Sequence, residues 1–150
     1  MTVEAASRPR SRLATIDVLR RVMIVVAVLA IGLTAYLTYV HYSGTRPVCT
    51  ASQSCTKVQT STWSKLDGVP VALIGLLGYI GILLSLFAPD RDETRLATLG
   101  MTMAGFGFSA YLTYREIFSI KAICEECVSS FVLIAILLAC GVVRYVRGAP

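Results

Sequence analysis

The chain has 150 residues, 55% of them hydrophobic, and a mean hydropathy of +0.69. That is more apolar surface than one soluble core of this length can take in, so the composition excludes an ordinary soluble domain and points to a membrane protein. The net charge of +5 does not point to nucleic acid, because no basic stripe is interleaved with aromatics.

In chain order, residues 1–15, "MTVEAASRPRSRLAT", are rich in small, charged and breaker residues and read as a mobile cytoplasmic tail ahead of a single membrane domain over 16–150. Residues 22–42 carry no Asp, Glu, Lys or Arg. A secretory signal would look similar at its start, but this run is too long for a signal core and no small-x-small cleavage site follows it, so it is expected to remain as a span. Further stretches free of those four residue types cover 68–89, 96–114 and 127–143, and adding the turn from Ile123 brings the last to the roughly 20 residues that cross a bilayer. The expected fold is therefore all-α and integral to the membrane: a bundle of four transmembrane helices with a cysteine-bearing extracytoplasmic loop between helices 1 and 2.

Four spans put both termini on one side. With them go Arg8, Arg10, Arg12, Arg20, Arg21, Arg91, Arg95, Arg144 and Arg147, against Arg46, Lys57, Lys65, Arg115 and Lys121 on the other side. The larger cationic share marks the cytoplasm, which predicts a multi-pass protein of the cytoplasmic (inner) membrane with cytoplasmic termini.

Between the first two spans, "SGTRPVCTASQSCTKVQTSTWSKLDGVP" mixes Ser, Thr, Gly and Pro with spaced apolar residues, Val58, Trp63 and Leu66. It is expected to lie on the outer face of the bundle, with Asp67-Gly68 as a turn and Pro70 in the first turn of the second span. The opposite loop, "APDRDETR", reads as a plain connection. The pentapeptide "AYLTY" occurs at 35–39 and again at 110–114, with a cysteine ten residues beyond each copy; internal duplication and the independent recurrence of interfacial tyrosines both account for it.

By this topology Cys49, Cys55, Cys124 and Cys127 all lie on the extracytoplasmic side, where oxidised pairs persist. Cys124 and Cys127, spaced i and i+3 at a helix start, share one face, and the exposed N–H groups and helix dipole there favour a thiolate. Glu125 and Glu126 suit a first helical turn yet oppose a neighbouring thiolate. A loop pair and a helix-start pair can exchange disulfides, can form two static bridges, or can gather a zinc ion, although no histidine supports the last reading. His41 reads as an interfacial residue and Cys140 as a small packing residue.

The combination of C-x5-C-T-x-V-x-x-S-x-W over 49–63, "GVP" at the head of the second span and C-x-x-C at the head of the fourth resembles the vitamin K epoxide reductase family, in its bacterial disulfide-forming branch. That resemblance implies a redox relay in which Cys49 and Cys55 take electrons from a thioredoxin-like extracytoplasmic protein. Cys55 exchanges with Cys124, and Cys127 faces a lipid quinone, menaquinone or ubiquinone, inside the bundle. Ser61 holds the family's loop serine position and Trp63 its nearby tryptophan. Phe131 stands where the animal enzymes place a ring-holding tyrosine, and no asparagine occurs in the chain. Ser61 and Phe131 are thus the candidate quinone contacts, and quinone reduction is expected rather than epoxide reduction. The stretch after the fourth span has no room for a fused thioredoxin-like domain, so a separate partner is expected.

Overall fold

The computed structural model describes residues 4–45, 57–58 and 60–148. Four helices dominate it: α1 (Glu4–Ser43), α2 (Val71–Phe87), α3 (Asp92–Arg115) and α4 (Glu125–Gly148). They close a ring in chain order, α1 on α2, α2 on α3, α3 on α4 and α4 back on α1. Short connections link α2 to α3 and α3 to α4, a longer one links α1 to α2, and consecutive helices are neighbours, as in an up-down bundle.

The bundle differs from a soluble one in its apolar exterior and in the hydroxyls it buries beside its apolar core. Val25, Leu29, Leu84, Met103 and Val146 are exposed on its outside, whereas Thr34, Thr98 and Thr102 are buried within. Each buried hydroxyl bonds a carbonyl of its own helix: Thr34 to Ala30 at 2.8 Å, Thr98 to Thr94 at 2.8 Å and Thr102 to Leu99 at 2.9 Å. A further contact of 2.8 Å between the Ser85 and Thr98 hydroxyls joins α2 to α3. Small residues let the helices approach: Ala27 and Ala30 of α1 are fully buried against Tyr79, Ile82, Leu86, Ile134 and Leu137, and Cys140 packs against the same core as a small residue. Packing by small residues and internal hydrogen bonds, with an apolar exterior, suits lipid as the solvent.

By length and hydropathy, Arg10–Ser43 (mean hydropathy 2.2 over an 18-residue stretch) and Glu125–Gly148 (2.4 likewise) can cross a membrane, while α2 is apolar but has 17 residues. Helix α1 begins at Glu4, so helical structure continues through most of the stretch that composition suggested was a tail. Ala, Arg and Leu, good helix formers, predominate there and carry the helix through.

The segment between α1 and α2 ends in a cap. A 3-10 turn (Thr62–Ser64) leads to a hairpin of two short strands, β1 (Lys65–Leu66) and β2 (Val69–Pro70), with Lys65 opposite Pro70 and Leu66 opposite Val69. Asp67 and Gly68 form the turn, with φ of 53° and 85°. Two successive positive φ values suit the right-handed twist of a two-residue hairpin, which is why Asp-Gly stands there. The turn lies where the sequence suggested, but Pro70 closes the hairpin and caps α2 instead of opening it.

At the far end of the ring, the loop between α2 and α3 is more than a connection. Asp90 binds Arg95 of α3 and Arg144 of α4, and Arg20 of α1 donates to the Leu86 carbonyl at 2.7 Å, capping the end of α2.

Candidate functional site

Helix α3 runs past its last α-helical turn into a π-helical turn, Glu116–Ile120, and Lys121 then reverses the chain in the left-handed region at φ 51°. The widened turn brings the Glu116 carbonyl within reach of two later amides, those of Lys121 and Ala122. From this turn the chain re-enters as α4, with Cys124 as the residue before the helix. The Cys124 carbonyl accepts the Val128 N–H at 3.1 Å, the first bond of α4.

Cys124 is 0% exposed and shares a buried cluster with Ala122 and with Val58 from the loop. Its thiol is hydrogen-bonded to that of Cys127, and Cys124, Cys127 and Cys140 are in no disulfide among the described residues. The i, i+3 spacing read from the sequence therefore places the pair in contact at the helix start. Glu116, 4% exposed, completes the group: its Oε2 accepts the Cys124 N–H at 3.4 Å, and its carboxylate bonds the Cys127 side chain. Burial pushes the Glu116 carboxyl above its ordinary value, opposed in part by the hydrogen bonds from Cys127 and Cys124.

A cavity of about 550 Å³ opens beside Cys127, between α2 and α3. Ala72, Ile74, Leu77, Phe108 and Leu112 form much of its wall, with Ser61, Trp63 and Ser64 at the cap and Glu116, Cys127, Ser130 and Ile134 along its α4 side. Its size and its few convergent polar groups are those of a small-molecule site. Glycines make the room: a Cβ at Gly78 would meet nothing within 4 Å, while at Gly105 it would press on Ile134 at 3.1 Å. The glycines of α2 and α3 thus serve both readings, open space at Gly78 and close helix approach at Gly105.

Arg115 holds the cap to α3. Its guanidinium lies 4.1 Å from the Trp63 ring centroid and its Nε donates to the Tyr111 hydroxyl at 3.1 Å. Such a stacked cation contributes about 0.5–1 kcal/mol at an exposed site. Ser61 starts the 3-10 turn, its hydroxyl donating to the Val58 carbonyl at 2.7 Å.

A thiol pair, a carboxylate touching both residues, and an apolar cavity at one sulfur together can serve as a two-electron donor beside a pocket for an apolar acceptor. A sequence model of the Vitamin K epoxide reductase family matches residues 21–142. The chain belongs to that family. The vitamin K epoxide reductase family comprises membrane oxidoreductases that act on thiols with quinones as electron acceptors. The matched segment includes all of Cys49, Cys55, Cys124 and Cys127.

The residues singled out in the sequence divide three ways. Cys124, Cys127 and Ser61 meet around the cap and cavity. Cys49 and Cys55 lie outside the described residues. Phe131 is off the cavity wall: Cys127, Ser130 and Ile134 face the cavity, and Phe131 sits at the edge of that stripe, where its ring packs on Phe106 of α3 with centroids 5.3 Å apart. Phe131 thus forms a contact between helices.

Two site residues escaped the sequence reading. Glu116 carried a signal, since an acidic residue at the end of a long helix opposes the helix dipole and needs another reason to be there. Tyr79 carried none, being one aromatic in an apolar run. Its hydroxyl bridges to α4, 2.9 Å from the Ser130 hydroxyl and 3.0 Å from the Ser130 carbonyl. Tyr79→Phe is expected to lower stability by about 1 kcal/mol, the net value of a buried hydrogen bond, in thermal unfolding of the detergent-solubilised protein.

Proposed function

We propose that this protein is a four-span thiol:quinone oxidoreductase of the cytoplasmic membrane that forms disulfides in a separate, extracytoplasmic thioredoxin-like partner. Cys49 and Cys55 take the partner's two electrons, Cys55 exchanges with Cys124, and the pair Cys124–Cys127 passes the electrons to a lipid quinone. The net reaction turns a dithiol and a quinone into a disulfide and a hydroquinone.

The observation that carries the reading is the placement of Cys127, hydrogen-bonded to a buried partner thiol on one side and lining an apolar cavity of about 550 Å³ on the other. The open space over Gly78 leaves room for a ring, and the Tyr79–Ser130 pair and Glu116 supply polar groups for its oxygens. Chain connectivity supports the exchange step. Cys55 precedes Val58 by three residues, which reach about 11 Å at most, and Val58 belongs to the buried cluster that covers Cys124. Cys124 has no exposed surface, so exchange requires this cover to lift, and the cover belongs to the loop that carries the attacking thiol.

The test is dithiol-dependent reduction of a short-chain quinone by the protein in detergent or liposomes, measured above the protein-free background with dithiothreitol as donor. One quinone reduced per dithiol oxidised is the expected stoichiometry, and no rate above background would overturn the reading. Gly78→Phe, which fills the cavity without meeting a neighbour at Cβ, is expected to raise the quinone KM about tenfold or more, a loss of about 1.4 kcal/mol of binding. Alkylation of Cys127 should proceed as in the parent protein. An unchanged KM would place the quinone elsewhere.

A further inference from the structure

Glu116 is a buried carboxylate with no counter-ion among the described residues. It is 4% exposed, and no ion pair reaches it among the described residues. Arg115, its neighbour in the chain, stacks its guanidinium over Trp63, and Lys121, at the end of the same turn, is exposed. The first turn of α4 adds Glu125 and Glu126, of the same sign. From α2 the cavity receives Tyr79, and from the cap only the hydroxyls of Ser61 and Ser64 and the Trp63 ring. A lone carboxylate in such surroundings costs several kcal/mol unless other groups stabilise it, and here its contacts are the Cys124 N–H and the Cys127 thiol.

A purely structural role does not need the charge. Capping the Cys124 amide takes one acceptor, which a glutamine provides, whereas a carboxylate opposes thiolate formation by Coulomb repulsion. What it adds is a proton acceptor in contact with a reacting sulfur and on the wall of the same cavity. The π turn that presents it is an irregularity of a kind that recurs at functional sites.

We propose that Glu116 is a catalytic residue, the proton carrier between the cysteine pair and the quinone. This assignment rests on the reading under Proposed function. The Cys127 S–H bond breaks as its proton passes to a Glu116 oxygen, freeing the sulfur's electron pair for the acceptor, and the carboxyl then gives that proton to an acceptor oxygen. The regenerated carboxylate takes the Cys124 proton as the Cys124 sulfur bonds to that of Cys127, and delivers it likewise. Two S–H bonds break, one S–S bond forms, and two electrons and two protons leave as the two O–H groups of a hydroquinone, with Glu116 returned to its starting state. Burial raises the carboxyl above its ordinary value, which makes it a better proton acceptor for general acid–base work.

The experiment compares wild type, Glu116→Gln and Glu116→Asp in the dithiothreitol:short-chain-quinone assay from pH 5 to 9, with alkylation of Cys124 and Cys127 as a check on the fold. Glu116→Gln is expected to lose about 100-fold or more in kcat at pH 7, the lower end of what a positioned acid–base group contributes, with the quinone KM within about threefold. Its remaining rate should climb with pH as solvent takes over the proton, so that the ratio to wild type narrows toward pH 9. Wild type should instead fall at acid pH, as the carboxyl becomes protonated in the resting enzyme. Glu116→Asp, which keeps the carboxylate on a shorter arm, should lie between the two. An unchanged kcat and pH profile in Glu116→Gln would overturn the assignment, as would loss of thiol protection in both variants, which would make Glu116 a packing element. Should wild type itself fail to reduce quinone, the parent reading falls; an active wild type with an equally active Glu116→Gln defeats only the proton carrier.

Discussion

Cys127→Ser is expected to bring quinone reduction down to background, a loss of about 10⁴-fold or more, in line with removal of the nucleophile from a catalytic group that acts as a unit. Serine is nearly isosteric with cysteine, so the cavity wall and the contact with Glu116 survive the change. What is lost is a group that can be a nucleophilic anion near neutral pH and can end in a disulfide. Cys124→Ser is expected to stop turnover too, but at another stage. It leaves a thiol at the cavity with no second sulfur to bond, so the electron pair cannot be delivered and a disulfide closed behind it. Absorbance should separate the two: thiolate–quinone charge transfer persists in Cys124→Ser with added quinone and vanishes in Cys127→Ser. Retention of more than a few per cent of the wild-type rate by Cys127→Ser would mean that the electrons leave by another route.

How much of this could be read beforehand depends on the range of the interaction. The cysteine pair at the head of α4 is local, since three-residue spacing at a helix start puts two side chains on one face whatever the rest of the chain does. The Asp-Gly turn is local as well, because it is fixed by a φ requirement that those residues meet cheaply. The contact of Phe131 with Phe106 of α3 is not local: a residue four positions from Cys127 lies near the edge of the helix face, and the neighbour at that edge decides which way the ring turns. Arg144 was counted as a charge at a span end and Glu116 was passed over, yet both are buried. Hydropathy averages a window and cannot report where a single ionic side chain folds back, and the π turn that turns Glu116 inward has no periodicity of its own.

Asp90→Asn should be among the most destabilising single changes outside the cysteine site. The Asp90 carboxylate accepts Arg95 in a two-pronged contact, Nε to Oδ1 and Nη2 to Oδ2 at 2.9 Å each, and Arg144 Nη2 to Oδ1 at 2.7 Å. Arg95 also donates to the Gly148 carbonyl at 2.7 Å, so one loop residue draws the end of α4 onto α3. The Arg144 side chain is 2% exposed, and its Nε and Nη1 have no partner among the described residues, which leaves Asp90 as its compensation. Removing the charge strands a buried guanidinium, a change that typically costs 3–5 kcal/mol; with Asp90 itself 28% exposed, solvent relieves part of that, and about 3 kcal/mol is expected in denaturant unfolding. Arg144→Met in the same background should recover most of the loss, because an apolar side chain of similar volume needs no counter-charge, and a double variant no more stable than Asp90→Asn alone would show that the cost lies elsewhere. The hydrogen bond from Arg95, reinforced by the charge of Arg144, holds the Asp90 carboxyl below its ordinary value of 3.8 against the opposing effect of burial. A carboxyl lowered on folding contributes stability that is complete above its unfolded value and is lost as pH falls through the folded one. Wild type should therefore weaken below about pH 4, whereas Asp90→Asn, having nothing to protonate there, should show a flatter acid limb in the same unfolding measurement.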